Sequence, residues 1–205
     1  MTRINSQRDK NAKATKATLI LEASLLFAKD GFSNTSLGNI AEQAQVTKGA
    51  IYHHFDSKEA IFAACYSRQA NAVANVVKKV VLTDDPWVDT INQCKAYLEL
   101  STKKGGMGVS IQEAITVLGW KQWRQLDETH TMGLLTETIS RLQTAQLLKP
   151  YTSALLADAL YGILIHAMMN LVEADDKQTA REELLLLIQD FIRGVMTDSA
   201  RSKAR

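Results

Sequence analysis

The 205-residue chain has only two prolines and ten glycines. That is too little turn chemistry for a β-sandwich, which needs a break every ~8–12 residues. Two cysteines, Cys65 and Cys94, exclude a disulfide scaffold and fit reduced thiols. Sustained alternation of β-branched and polar residues is missing. No internal repeat with a period of about 20–50 residues occurs. The N-terminus is polar and lacks the apolar stretch of a signal peptide. No apolar run reaches the ~18 residues that span a membrane. The longest, Leu155–Val172, is interrupted by Asp158, His166 and Asn170. These absences predict an all-α, cytoplasmic protein.

Catalytic and metal signatures are lacking too. The glycines at 105–108 are not followed by the Lys-Ser/Thr of a phosphate loop. There is no His-x-x-x-His pair, and Cys65, Cys94, His130 and His166 do not have metal-ligand spacing. No cofactor, no metal and no enzymatic activity is expected.

What is present begins with charge. The net charge is +2, but it is unevenly placed. Arg3, Arg8, Lys10, Lys13 and Lys16 face only Asp9 in the first 16 residues, and Arg201, Lys203 and Arg205 face only Asp198 at the other end. Both ends are basic and the middle is acidic. A basic arm is suited to a polyanion, and the N-terminal one is placed to enter a DNA minor groove.

Periodicity predicts nine helices. The first runs from about Lys13 to Asp30, with Gly31 ending it. Thr35 or Ser36 opens a short second helix to about Ala44. Thr47 caps a third, Lys48–Phe55. Ser57 caps a fourth, running to about Leu82. Pro86 starts a fifth, ending near Lys104. The rest are read as about Val109–Leu118, Lys121–Leu148, Thr152–Ala174 and Thr179–Met196. Residues 1–56 form a three-helix unit with a basic arm, and 57–205 a larger helical body.

Helices two and three are short and joined by about three residues, the build of a helix-turn-helix whose second helix enters the major groove. At about 100° per residue, Ile51, His54 and Phe55 share the inward face of helix three. Gly49, Ala50, Tyr52 and His53 face out, with Lys48 at the start. Small Gly49 and Ala50 permit close approach, and Tyr52, His53 and Lys48 bear groups that hydrogen-bond phosphates and bases. Lys58 opens helix four and Thr35 helix two, where helix N-termini favour anions.

The stretch Phe27–Phe62, FAKDGFSNTSLGNIAEQAQVTKGAIYHHFDSKEAIF, closely resembles the DNA-binding domain of the tetracycline-repressor (TetR) family of bacterial transcription regulators. The matching elements are F..GF..TS...IA, V.KGAIYHHF and SKE.IF. The resemblance covers roughly residues 13–65. It implies a DNA-binding domain on a helical effector-binding and dimerisation domain. It implies phosphate or base contacts from Thr35, Thr47, Lys48, Gly49, Ala50, Tyr52, His53 and Lys58. It also implies a homodimer on a palindromic double-stranded operator, released by a small-molecule effector through a pendulum-like shift of helix four. The alternative is an all-helical dimeric adaptor with an unused helix-turn-helix.

The last two helices are apolar over more than one face, which a two-fold four-helix dimer interface explains. Leu155, Ala159, Ile163, Leu184, Ile188, Phe191 and Ile192 are its expected members. Polar and aromatic residues inside the body helices are candidates for an effector pocket. They are Cys94, Tyr97, Gln112, Glu113, Trp120, Trp123, His130, Tyr161, His166 and Asn170.

Overall fold

The computed structural model describes residues 2–102 and 108–203, with side chains from Asp9 to Leu100 and from Gly108 to Ser202. The side chains of Arg3, Arg8, Lys203 and Arg205, the glycines at 105 and 106 and the expected helix end near Lys104 lie outside that description. The described residues form ten helices and no strand: α1 (Thr2–Asn34), α2 (Leu37–Gln43), α3 (Lys48–Tyr52), α4 (Lys58–Lys78), α5 (Pro86–Thr102), α6 (Ile111–His130), α7 (Met132–Thr144), α8 (Ser153–Glu173), α9 (Lys177–Gly194) and α10 (Asp198–Lys203).

The differences from the sequence reading have local causes. Helix α1 starts at Thr2 rather than near Lys13, because nothing before Gly31 interrupts it. The basic arm is therefore part of the first helix. Gly31 takes φ 76° and ψ 166°, a conformation open essentially to glycine alone, and breaks the helix where expected. Gly119 repeats this at φ 74° and ψ 154° inside α6. The single helix expected over Lys121–Leu148 is divided at Thr131, with Gly133 in the first turn of α7. It stops at Thr144, because Gln146 turns left-handed (φ 58°) and Leu147 N–H closes back onto Leu142 O at 3.0 Å. The tenth helix, α10, falls in the basic tail.

The chain divides into two compact units, residues 1–69 with 108–126, and residues 70–107 with 127–205. In the first, Leu19, Ala23 and Phe27 of α1 are buried with Ile40 of α2, Ile51 and Phe55 of the α3 segment, and Ile61 and Phe62 of α4. Phe27, Phe32 and Phe62 form a ring cluster with centroids 5.1–5.8 Å apart. Each wide apolar ring removed from water contributes about 1.5–3 kcal/mol.

In the second unit α8 is the central helix, packed on α5, α7 and α9. It has the length and apolarity to cross a membrane, contrary to the expectation that no run does. Leu156, Leu160, Leu164, Met168 and Leu171 spend that apolarity in the core. Antiparallel bonds close this unit: Lys149 N–H to Val195 O and Thr197 N–H to Leu147 O, both 2.9 Å. Asp89 is fully buried and accepts bonds from Thr83 N–H, Thr83 Oγ1 and Arg141 Nη2, the last at 2.7 Å. Burial favours the neutral acid, but the Arg141 and Thr83 donors outweigh it and hold the carboxyl below its ordinary range.

Candidate functional site

The helix-turn-helix is built by local capping. Ser36 caps α2, accepting Asn39 N–H at 3.1 Å, while Ser36 N–H donates to Asn39 Oδ1 at 3.2 Å. Gln45 adopts φ 55° after α2, and Val46 N–H reaches back to Ala41 O at 2.9 Å. That left-handed corner reverses the chain into α3. Thr47 then caps α3 by accepting Ala50 N–H at 3.2 Å. Helix α3 ends at Tyr52, three residues short of the expected Phe55, with His54 and Phe55 N–H both bonding Ile51 O at 2.9 Å in a closing turn.

This short helix has two distinct faces. Ile51 is 1% exposed and Phe55 6%, whereas Tyr52 is 59% exposed. Thr47, Lys48, Gly49 and His53 are exposed with Tyr52, and Ala50 lies at the edge. The side chains of Lys48, Tyr52 and His53 make no hydrogen bond or ion pair among the described residues. Lys48 lies over Gly38, where a Cβ would come within 3.2 Å of its Cε. The result is an exposed face with a cation, a phenol and an imidazole all available to a partner.

Lys58 and Thr35 are placed differently. Lys58 Nζ donates to Phe32 O at 2.7 Å and Thr35 O at 2.9 Å, and lies 4.1 Å from the centroid of the Phe32 ring. Two of its three donors are thus committed to carbonyls just past the Gly31 break. Thr35 is 2% exposed, and its hydroxyl donates to Gly31 O at 2.8 Å. It is Ser36 that caps α2.

The second unit contains a cavity lined by Val73, Ala74 and Val77 of α4, by Thr90, Gln93, Cys94 and Tyr97 of α5, by Thr131, Leu134, Leu135 and Thr138 at α7, and by Leu160 and Leu164 of α8. The cavity is small, about 40 Å³. Two of the ten residues expected at an effector pocket, Cys94 and Tyr97, line it. The other eight do not. Gln112, Glu113, Trp120 and Trp123 belong to the first unit. There Glu113 bonds Phe32 N–H, Trp120 is 56% exposed, and Trp123 is buried beside Tyr66. His130 is half-buried. Tyr161 Oη donates to Asp127 Oδ2 at 2.6 Å. His166 and Asn170 are exposed on α8, where Asn170 Nδ2 bonds His166 O.

The α5 lining could have been read from spacing: Thr90, Gln93, Cys94 and Tyr97 fall at i, i+3, i+4 and i+7 on one helix face. Thr131, Leu134, Leu135 and Thr138 repeat that spacing, but Thr131 is the residue at which the single helix expected over Lys121–Leu148 divides.

The apolar residues of α8 and α9 divide as well. Leu155 is 59% exposed, Ala159 is exposed and Ile163 half-buried, one stripe along α8. On α9, Leu184 and Phe191 are half-buried, but Ile188 and Ile192 are 0% and 1% exposed in the core of this single chain. Those two are corrected out of the expected interface. The exposed pair on α9 is Leu186 and Leu187, each 58% exposed.

Residues 19–65 match the sequence profile of bacterial regulatory proteins of the tetR family, and residues 87–195 match the tetracyclin repressor-like C-terminal domain. The Tn10 TetC protein of Escherichia coli is 32% identical over 178 residues, spanning 84% of this chain and 89% of that one. The regulator TtgR of Pseudomonas putida is 49% identical over 47 residues, 23% of this chain and 22% of that one. A TetR-family transcriptional regulator from Pectobacterium atrosepticum shares the fold with a TM-score of 0.72 at 23% identity, over 97% of this chain and 99% of that one. RolR in complex with resorcinol does so at 0.70 and 20%, over 96% and 95%. The two matched domains together cover most of the chain, which belongs to the TetR family of transcriptional regulators and carries its DNA-binding helix-turn-helix.

Proposed function

We propose that the protein is a ligand-responsive repressor that binds a palindromic operator as a homodimer and is released by a small-molecule effector. The observation that carries this reading is the exposed face of α3. Lys48, Tyr52 and His53 stand there without partners among the described residues, on a helix whose opposite face is anchored by Ile51. In this reading Gly49 and Ala50 let the helix approach base edges, and Thr47 and Lys48 hold phosphates.

A homodimer supplies the second recognition helix that a palindrome needs, about one turn of DNA away. The stripe of exposed Leu155 and Ala159 and half-buried Ile163 on α8, with exposed Leu186 and Leu187 on α9, supports a two-fold four-helix interface. The cavity supports an effector, and RolR, of the same fold, has been crystallised with resorcinol. Helix α4 supplies Lys58, Ile61 and Phe62 to the first unit and Val73, Ala74 and Val77 to the cavity wall of the second. It is the element through which an effector would act on α3.

Transcription in vitro from a promoter overlapping a selected operator tests the direction of control. Added protein should lower transcript yield, and an effector should restore it. A rise in transcript on adding protein would make it an activator instead.

A further inference from the structure

We infer that the effector is an uncharged, largely apolar small molecule with an oxygen acceptor, held in the α5-lined cavity by Tyr97 and Gln93. The inference rests on the effector-responsive reading above and names the chemistry that this chain selects.

The wall is apolar where Val73, Val77, Leu134 and Leu164 line it, and no Lys, Arg, His, Asp or Glu is among the lining side chains. An ion entering it would lose its hydration with no counter-charge on the wall, and the one carboxylate behind Tyr97, Asp127, is already engaged by the Tyr161 hydroxyl. The two titratable lining groups do not supply a counter-charge. Burial pushes the Cys94 thiol up to about 12. Burial, with the charge of Asp127 and the Cys94 group behind it, raises Tyr97 further still. Both are neutral at physiological pH. Asp127 itself accepts the Tyr161 hydroxyl at 2.6 Å.

The polar groups are few and specific. Tyr97 is 8% exposed, and its hydroxyl has no hydrogen-bond partner among the described residues. A phenol that meets no protein acceptor takes one from water or from a bound molecule. Gln93, one turn earlier on the same face, has its Oε1 occupied by the Thr138 hydroxyl at 2.8 Å, and its Nε2 has no partner among the described residues. Two unfilled donors, O–H and N–H, call for an acceptor.

Four monocyclic probes separate the possibilities: acetophenone, toluene, benzoate and benzylammonium. Each is measured by thermal denaturation of the full chain and by release of labelled operator. Acetophenone should raise the Tm and release DNA, while benzoate and benzylammonium at equal concentration should do neither. Toluene should bind more weakly. Tyr97→Phe and Gln93→Met should each weaken acetophenone about 3- to 10-fold, the worth of one neutral hydrogen bond, and leave toluene unchanged. Gln93 is half-buried, so its variant serves if Tyr97→Phe does not fold. Equal binding of either ion, acetophenone affinity unaffected by both variants, or no binding by any probe would overturn the assignment. Acetophenone binding without operator release would leave the site standing and refute the effector reading.

Discussion

Glu113 Oε1 accepts the main-chain N–H of Phe32 at 2.7 Å, joining α6 to the end of α1 across 81 residues of sequence within one unit. The carboxylate satisfies a donor left open where Gly31 breaks the helix. A hydrogen bond to a charged group is worth about 1.5–3 kcal/mol. Glu113→Ala should cost about that in denaturant unfolding, and Glu113→Gln less. Gly31→Ala should cost a similar amount, because its backbone conformation is strained for any side chain and the new Cβ would lie 3.2 Å from Glu113 Oε1. An unchanged midpoint in Glu113→Ala would show that water replaces the bond freely.

Two lysines of the helix-turn-helix region should behave oppositely. Lys48 has no partner among the described residues, whereas Lys58 holds Phe32 O and Thr35 O. Lys48→Ala should leave the unfolding midpoint unchanged and make the slope of log affinity against log salt shallower by about 1, the share of a single neutralised phosphate. Lys58→Ala should lower stability by about 1–3 kcal/mol by uncovering two carbonyls. Paired unfolding and operator titrations check both. A stable Lys58→Ala protein with weakened DNA binding would place Lys58 at the phosphates instead.

The local half of this account was legible in the sequence. Ser36, Thr47 and Ser57 each cap the helix they precede, since a hydroxyl three residues before a free N–H is a short-range geometry. Gly31 and Pro86 likewise marked the ends of elements. The long-range half was not legible. Nothing in the spacing of Glu113 says that its carboxylate reaches Phe32, and a polar residue inside a body helix reads as a member of the effector group instead. In the run Leu184–Ile188, all five residues are apolar, and only the packed register distinguishes buried Ile188 from exposed Leu186 and Leu187. On α5 the spacing places Thr90 and Gln93 beside Cys94 and Tyr97, but polar residues at helical spacing mark a solvated face equally well.

The Asp89–Arg141 pair gives the second unit an acid-dependent element. Asp89 has a lowered pKa in the folded chain. Its contribution is therefore complete above the unfolded carboxyl value near pH 4 and is lost as pH falls through the lower folded value. Asp89→Asn should be less stable at pH 7, by about 2–3 kcal/mol. That is short of a fully enclosed pair, because the Arg141 side chain keeps 30% of its surface in water. The difference between wild type and variant should narrow below pH 4. A constant difference would mean that the charge of Asp89 is unimportant.

Leu155 is exposed on the stripe proposed to meet a second copy. Leu155→Glu should convert the dimer to monomer in analytical ultracentrifugation while leaving the far-ultraviolet helical signal intact. A variant that stays dimeric would place the interface elsewhere.

On the proposed reading, α3 reads DNA through Tyr52 and its neighbours. Selection of bound fragments from a random duplex pool, with wild type and Tyr52→Ala side by side, tests it most directly. The wild type should enrich a palindrome, with binding weakened by about 1–3 kcal/mol in the variant and folding and dimerisation unchanged, since Tyr52 is 59% exposed. Enrichment of the same palindrome to the same degree by both proteins, or of no sequence by the wild type, would contradict it.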